Sequence, residues 1–389
     1  MSGSLGGRAA IAGIGQTEFS KASGRSELQL ACEAVKAALD DAGLAPADVD
    51  GLVTFTLDSS EEMELGRNLG IDELSLFSRV PYGGGAAAGV VLQAAMAVAA
   101  GVAEVVVCYR AFNERSGSRF GSFAGSMAGG MPPFLSWYAP WGLLTPASWV
   151  ALHARRYMET YGVTNEDFGA IAVVDRKHAA TNPDAWFYER PITIEEHQAS
   201  RWVVEPVLRL LDCCQESDGG VALVVTSVER ARDLRQAPAV VTAAAQGATF
   251  DSEMMTNYYR DDLLGLPEMG VVGNRLWKMS GLMPTDISTA FLYDHFTPFV
   301  LMQLEELGFC ERGQARHFAT VENLSVGGRL PINTNGGLLG EAYIHGMNGI
   351  TEAVRQVRGS SVNQVQDVEH VLVTAGAGVP TSGLILSRG

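Results

Sequence analysis

The chain has 389 residues, of which 47% are hydrophobic and 19% charged, and carries a formal net charge of −16 at pH 7. Such a composition buries a large core and excludes a disordered chain, while the acidic balance leaves no basic stripe for nucleic-acid phosphates. Only four lysines occur, Lys21, Lys36, Lys177 and Lys278, so candidates for Schiff-base chemistry are few. AIAGIG opens the chain as a short buried strand. Ser26 then caps a helix whose stripe of Leu28, Ala31, Cys32, Val35 and Leu39 faces a core, and Gly43 ends it. DGLVTF is a second strand. The segment VPYGGGAAAGVVLQAAMAVAAG, from Val80 to Gly101, joins a glycine turn to a helix of small residues. AEVVVCY follows as a β-branched run of the kind buried on both faces of a sheet.

From residue 113 to about residue 200, Gly, Ser and Pro become frequent and aromatics cluster in PPFLSWYAPWGLLTPASWV. This texture predicts an inserted loop region lying over the core, a usual place for substrate contacts. SDGGVALVVTS returns to strand, and APAVVTAAAQG begins a second half. ISTAFLY is its next strand, with Thr297 and Pro298 as N-cap and first residue of the helix PFVLMQLEELGF. NTNGGLLGEAYIHGMNGITEAVRQVRG is a second glycine turn opening a second helix, and VEHVLVTAGAG and SGLILS are closing strands. Turn, small-residue helix and buried strand therefore occur twice, at 83–109 and 336–375. The pattern predicts two similar α/β halves, residues 1–237 (with the 113–200 insertion) and 238–389.

The amino-terminal MSGSLGGRAAIAGIG lacks the long apolar run of a secretory signal, and the most apolar stretch, Ala86 to Ala100, is too short for a membrane span. Five cysteines without metal-type or framework spacing point to a reducing compartment. The expectation is a cytoplasmic protein with no metal site, no nucleic-acid partner and no membrane insertion.

Several ordered segments resemble the thiolase superfamily, in its sterol-carrier-protein branch. NTNGGLLGEAYIHGMNG is similar to the NPSGGLISKGHPLGATG type of segment, LYDHF to VHDCF, and SDGGVALVV to the DGAAA strand. The resemblance runs from about Ala9 to Leu386. It implies a thiolase fold, two βαβαβαββ halves in a five-layer αβαβα body. The departures are chemical. Where thiolases carry a nucleophilic Cys in the first glycine turn, this chain has Gly83, Gly84 and Gly85; where they carry a second Cys, it reads VTAGAG around Thr374 and Ala375. The two family histidines align with Tyr293 and Tyr343. Without a thiolate there is no acyl-enzyme.

The thioester-enolate half of the family's chemistry survives that loss, because a retro-aldol cleavage needs a base, an acid and an oxyanion site but no nucleophile. The chain is thus similar to the thiolase-like aldolases of bacterial steroid side-chain degradation. That resemblance implies cleavage of a 17-hydroxy steroid C20-carboxyl-CoA to a 17-ketosteroid and propionyl-CoA. It also implies a homodimer bound to a small OB-fold domain of a companion hydratase, with no cofactor beyond the CoA of the substrate.

Tyr293 and Tyr343 are the expected acid and base, although a free phenol titrates near 10 and must be tuned or hydrogen-bonded to act as a base near neutrality. Tyr293 is otherwise a core residue with a satisfied hydroxyl, and Tyr343 a boundary residue of an amphipathic helix. His295 lies on the same side of the predicted strand as Tyr293 and either orients it, donates to the oxyanion or merely enters the next helix. His345 falls on another face of the predicted helix from Tyr343. The glycines 83–85 offer backbone N–H groups at a helix start, or simply allow tight packing. Trp137 and Tyr138 are candidates to line a steroid pocket and Asn335 to contact substrate, with a satellite core and a turn cap as the plain alternatives. A non-catalytic acyl-CoA or lipid-binding subunit is the competing function.

Overall fold

The first half follows the predicted order, with a helix, Glu62–Leu69, and a strand, Leu76–Val80, added between the second strand and the glycine turn. β1 (Ala9–Gln16) leads through α1 (Glu27–Ala42) to β2 (Gly51–Phe55), β3 (Leu76–Val80), α2 (Ala87–Ala100), β4 (Val105–Asn113) and, beyond the inserted helices α3 (Pro146–Tyr161) and α4 (Asn165–Thr181), to β5 (Asp218–Ser227). The second half contains β6 (Ala239–Gly247), α5 (Pro267–Ser280), β7 (Thr289–Phe291), α6 (Thr297–Glu306), α7 (Met347–Arg358), β8 (His370–Ala375) and β9 (Thr381–Arg388). This is a computed structural model that describes residues 5–56, 58–117, 119, 136–252, 255 and 259–389.

Among the described residues the main sheet has nine strands in the order β3-β2-β4-β5-β1-β6-β9-β8-β7. Each half is wound alike. The one strand that differs is the third of the second half, which shrinks to a single parallel bridge between Ala290 and Ile332. The halves join where β1 meets β6, antiparallel, at Ala10–Val240 and Ile11–Ala239. Helices α2 and α7 touch strands of both halves, α1 covers β1, β4 and β5 from outside, and α5 covers β6 and β9. The result is the expected five-layer thiolase arrangement.

Small residues make the middle layer possible. Along α2 the residues Ala87, Ala88, Gly89, Val90, Val91, Ala94 and Ala95 are fully buried. A Cβ on Gly89 would come within 3.0 Å of Gln246 on β6 and 3.2 Å of Val80 on β3, so the helix is gripped from both sides. By length and composition the stretch Gly83–Ala100 is apolar enough to cross a membrane, but here it is a core helix packed between strands of the two halves.

Local signals held at α1, where Ser26 accepts the Gln29 N–H at 3.1 Å and Gly43 takes the left-handed conformation. Three boundaries differ from expectation. The strand predicted through Tyr293 stops at Phe291, because side chains replace the ladder: the Leu292 N–H donates to Asn333 Oδ1 and the Tyr293 N–H to Thr374 Oγ1, each at 2.9 Å. Phe296 is the N-cap of α6, and Thr297, expected there, instead donates its hydroxyl to Asp212 at 2.7 Å. The second glycine turn opens only one helical turn, Gly337–Gly340, before the chain leaves helical geometry and re-enters it at Met347. The Gln215 amide and the Asn348 amide hold the carbonyls of Gly340, Glu341 and Ala342 in that break, so Tyr343 lies in a loop and not on a helix.

Overfilling the middle layer is expected to be costly. Ala94→Leu should destabilise the fold by about 1–3 kcal/mol in denaturant unfolding, whereas Met96→Ala, at an exposed position of the same helix, should change it by less than about 0.5 kcal/mol.

Candidate active site

The glycine turn is one turn of tight helix, Gly83–Ala86, running into α2. Its second glycine explains the missing side chain. A Cβ built on Gly84 would lie 1.8 Å from the Tyr293 phenol oxygen. The phenol occupies the space that a side chain at position 84 would need. Gly85 is equally closed in, since its Cβ would meet the Pro380 carbonyl at 2.1 Å, and Ser382 Oγ donates to its carbonyl at 2.6 Å.

Tyr293 is clamped through its backbone. Its N–H donates to Thr374, whose hydroxyl donates to Gln303 Oε1 at 2.6 Å, while the Gln303 amide donates to the Tyr293 carbonyl at 2.8 Å. Tyr343 is fixed by its N–H, which donates to Ser217 Oγ at 3.2 Å. These two anchors bring the phenol oxygens to 2.9 Å from each other. Four rings then follow in contact: His295 to Tyr293 with centroids 4.8 Å apart, Tyr293 to Tyr343 at 6.3 Å, and Tyr343 to His345 at 5.0 Å.

Burial sets the charge state of this cluster. It raises both phenols well above their ordinary value, with the charge of the other phenol adding at Tyr343. It pushes His295 down to about 3, and with the neighbouring Arg110 charge it holds His345 well below the usual imidazole range. The expectation that a phenol must be tuned or hydrogen-bonded to act near neutrality meets a hydrogen bond here, while burial moves both phenols away from a standing base. As found, all four rings are neutral, and Tyr293 and Tyr343 form a protonated pair in which one hydroxyl donates to the other.

The structure brings together Tyr293, Tyr343, His295 and Gly84, and adds His345. The helix on which His345 would have faced away is absent. Gly85 does not retain a free backbone donor, because its N–H donates to the Tyr82 carbonyl at 3.0 Å. Asn335 is also spent: its amide nitrogen donates to Glu341 and its oxygen accepts the Gly337 N–H at 3.1 Å, which is the turn-cap role. Trp137 is half exposed and Tyr138 buried, with the Tyr138 carbonyl accepting from the Trp141 N–H at 3.0 Å. The remainder of that aromatic run, residues 132–135, lies outside the described residues.

Other residues near the site were not singled out from sequence. Cys214 is one of them; its N–H donates to the His295 carbonyl at 2.8 Å, and burial together with nearby acidic groups holds the thiol well above its usual range, so it is no thiolate. Glu114 is buried, with one carboxyl oxygen unpartnered and its titration pushed well up by desolvation. Arg110, fully buried in β4, contacts His345. The signal for Arg110 was present, a charged residue inside the apolar run VVVCYRAF. Among the described residues no group of three His, Cys, Asp or Glu side chains is placed to hold a metal ion.

Behind Tyr293 a buried carboxyl pair ties the halves of the site together. Asp294 accepts the Leu338 and Leu339 N–H groups at 2.8 and 3.0 Å, and the Asp175 carboxyl on α4 lies within hydrogen-bond reach of it. With two backbone donors on Asp294 and fewer on Asp175, the shared proton sits on Asp175.

Comparison with known proteins gives these residues a setting. The description "Thiolase C-terminal domain-like" matches residues 247–388. A "Steroid side-chain-cleaving aldolase" of Thermomonospora curvata is 69% identical over 98% of both chains. The chain belongs to the thiolase superfamily, within the branch of the steroid side-chain-cleaving aldolases. A further branch member, the "17-hydroxy-3-oxo-4-pregnene-20-carboxyl-CoA lyase" of Mycobacterium tuberculosis, is 64% identical over 98% of this chain and 100% of its own. The solved "Ltp2-ChsH2(DUF35) aldolase" superposes with a TM-score of 0.94 at 69% identity, covering 99% of each chain.

Two outcomes follow for this branch member. Gly84→Ala should destabilise it by about 1–3 kcal/mol, because the Tyr293 ring must move, and Tyr293→Phe in that background should restore part of the loss in thermal unfolding. The Asp175–Asp294 pair titrates above the ordinary carboxylate value when folded, Asp294 at about 6. Its stabilisation is complete in acid, below the unfolded carboxylate value, and is lost as pH rises through about 6 and beyond. Asp175→Asn, which keeps a donor without a titrating proton, should flatten that part of the Tm–pH curve.

Proposed function

We propose that this chain is a retro-aldolase acting on a β-hydroxyacyl-CoA, a 17-hydroxy steroid C20-carboxyl-CoA that yields a 17-ketosteroid and propionyl-CoA. The observation that carries the reading is the pair of phenol oxygens 2.9 Å apart above a glycine turn with no nucleophile. The substrate class is that printed for the Mycobacterium tuberculosis relative at 64% identity.

Two neutral, hydrogen-bonded phenols suit a relay better than a standing phenolate. One phenol oxygen takes the proton of the substrate's β-hydroxyl as its own proton passes to the neighbouring phenol. The neighbour's proton goes to Cα. The Cα–Cβ bond breaks, the β-carbon becomes the ketone, and the electron pair held as the thioester enolate becomes the new C–H bond. No net charge need develop on either tyrosine, which removes the penalty of ionising a buried phenol. His295 is neutral and has a ring nitrogen without a partner. It supplies the hydrogen bond to the enolate oxygen, together with the backbone N–H groups of Gly83 and Gly84 at the start of α2. No cofactor enters beyond the CoA of the substrate.

The same reading makes the enzyme a cytoplasmic homodimer that carries a small OB-fold domain of a companion hydratase. The companion domain is supported by the solved aldolase with a DUF35 component, matched over 99% of this chain. Purified with such a domain, the enzyme should release ketone and propionyl-CoA from the steroid thioester. Tyr293→Phe and Tyr343→Phe should each lower turnover by on the order of a hundredfold to ten-thousandfold while substrate binding, followed by calorimetry, stays within about threefold. Turnover unchanged in both variants would return the chain to the binding-subunit reading.

A further inference from the structure

Arg110 is a guanidinium with no exposed surface in the centre of an apolar strand. Its counter-ion, Asp58, lies 3.3 Å away and is equally buried. Asp58 is held in turn by the N–H groups of Ser60 at 2.8 Å and Ala111 at 3.2 Å. Buried ion pairs of this kind are poor sources of stability, since a well-packed apolar pair does as well without desolvation. The second partner of the guanidinium gives it a purpose. Arg110 Nε donates to Nδ1 of His345 at 3.1 Å. Phe55 and Phe112 pack against both: the guanidinium carbon lies 5.6 and 4.5 Å from their ring centres, and the imidazole 6.4 and 5.9 Å. His345 also holds a left-handed backbone, φ +51°, an unfavourable state for a residue with a Cβ and one that collects at functional sites.

An arginine keeps its Nε proton at every pH a protein survives, so the nitrogen that accepts from it must present a lone pair. We propose that Arg110 is a positioning residue for the tyrosine pair, fixing His345 with its proton on Nε2 and its ring against Tyr343. The imidazole then stands beside the phenols as a neutral hydrogen-bond donor and takes no proton from the reaction. This rests on the retro-aldolase reading and deepens it. Among the described residues, the charged and titratable groups that act on His345 are Arg110 on β4, with Asp58 behind it, and His295 ahead of α6, while Tyr343 is in ring contact with it. The positive charge of Arg110 opposes an imidazolium, and the hydrogen bond decides the tautomer.

Long-range proton–nitrogen NMR of the histidine-labelled native protein, with His345→Gln to assign the signal, reads the tautomer directly. A bare Nδ1 and a protonated Nε2, unchanged from mildly acid to mildly alkaline pH, is the expected result. A proton on Nδ1, or an imidazolium in that range, overturns the proposal. In the double variant Arg110→Met/Asp58→Asn, which leaves no buried charge unpaired, the tautomers should mix and kcat should fall on the order of tenfold to a hundredfold with little change in KM. A new ionisation below neutrality should enter its kcat/KM profile. His345→Gln, which keeps a donor near Nε2, should retain more turnover than His345→Leu. A double variant with the native tautomer and pH profile also overturns the proposal. Absence of steroid cleavage by the unsubstituted enzyme sinks the retro-aldolase reading and the kinetic claim with it, while the NMR result decides the tautomer separately.

Discussion

The Tyr293 hydroxyl occupies the volume into which any side chain at position 84 would grow, and the rest of the buried cluster is arranged around that exclusion. Because the turn carries only glycine there, the phenol can lie against backbone at the start of α2. Because the phenol lies there, its oxygen reaches that of Tyr343. A side chain at position 84 and the phenol of Tyr293 in its present place exclude each other.

Holding that geometry requires rigid supports, and these come from both halves. Thr374 and Gln303 grip the backbone of Tyr293 at its N–H and its carbonyl. Asp294 ties the same segment to the one-turn helix Gly337–Gly340, from which the chain runs on to Tyr343. Ser382 on β9 holds both the Gly85 carbonyl and the Gly89 N–H, so the first glycine turn is fastened to the second half. Backbone polar groups in so buried a place need such partners. Once the partners are fixed, the side chains they carry have little room to move.

The same burial dictates what kind of chemistry the cleft supports. Phenols rise and imidazoles fall in their titration, so each ring is in its uncharged form. In so apolar a setting a hydrogen bond is stronger than in water, and a separated charge is more expensive. A concerted movement of protons along neutral donors suits these conditions. A free phenolate does not.

Periodicity and turn chemistry made much of the frame legible. The buried run AEVVVCY, the Ser26 cap, Gly43 and the repeated glycine turn each act within a few residues, where local rules govern, and the register of Tyr293 and Tyr343 against a known pattern pointed to the site. What sequence by itself determined was the doubled α/β order, the loss of the nucleophile and the pair of tyrosines. It could not show that the second helix breaks at residues 341–346, because that break is held by Gln215 from the far side of the chain. Nor could it show that Arg110, Asp58 and His345 meet, that Cys214 borders the phenols, or that Asn335 is consumed by Glu341. Those are contacts between residues remote in sequence, and only packing in three dimensions decides which buried polar groups find one another.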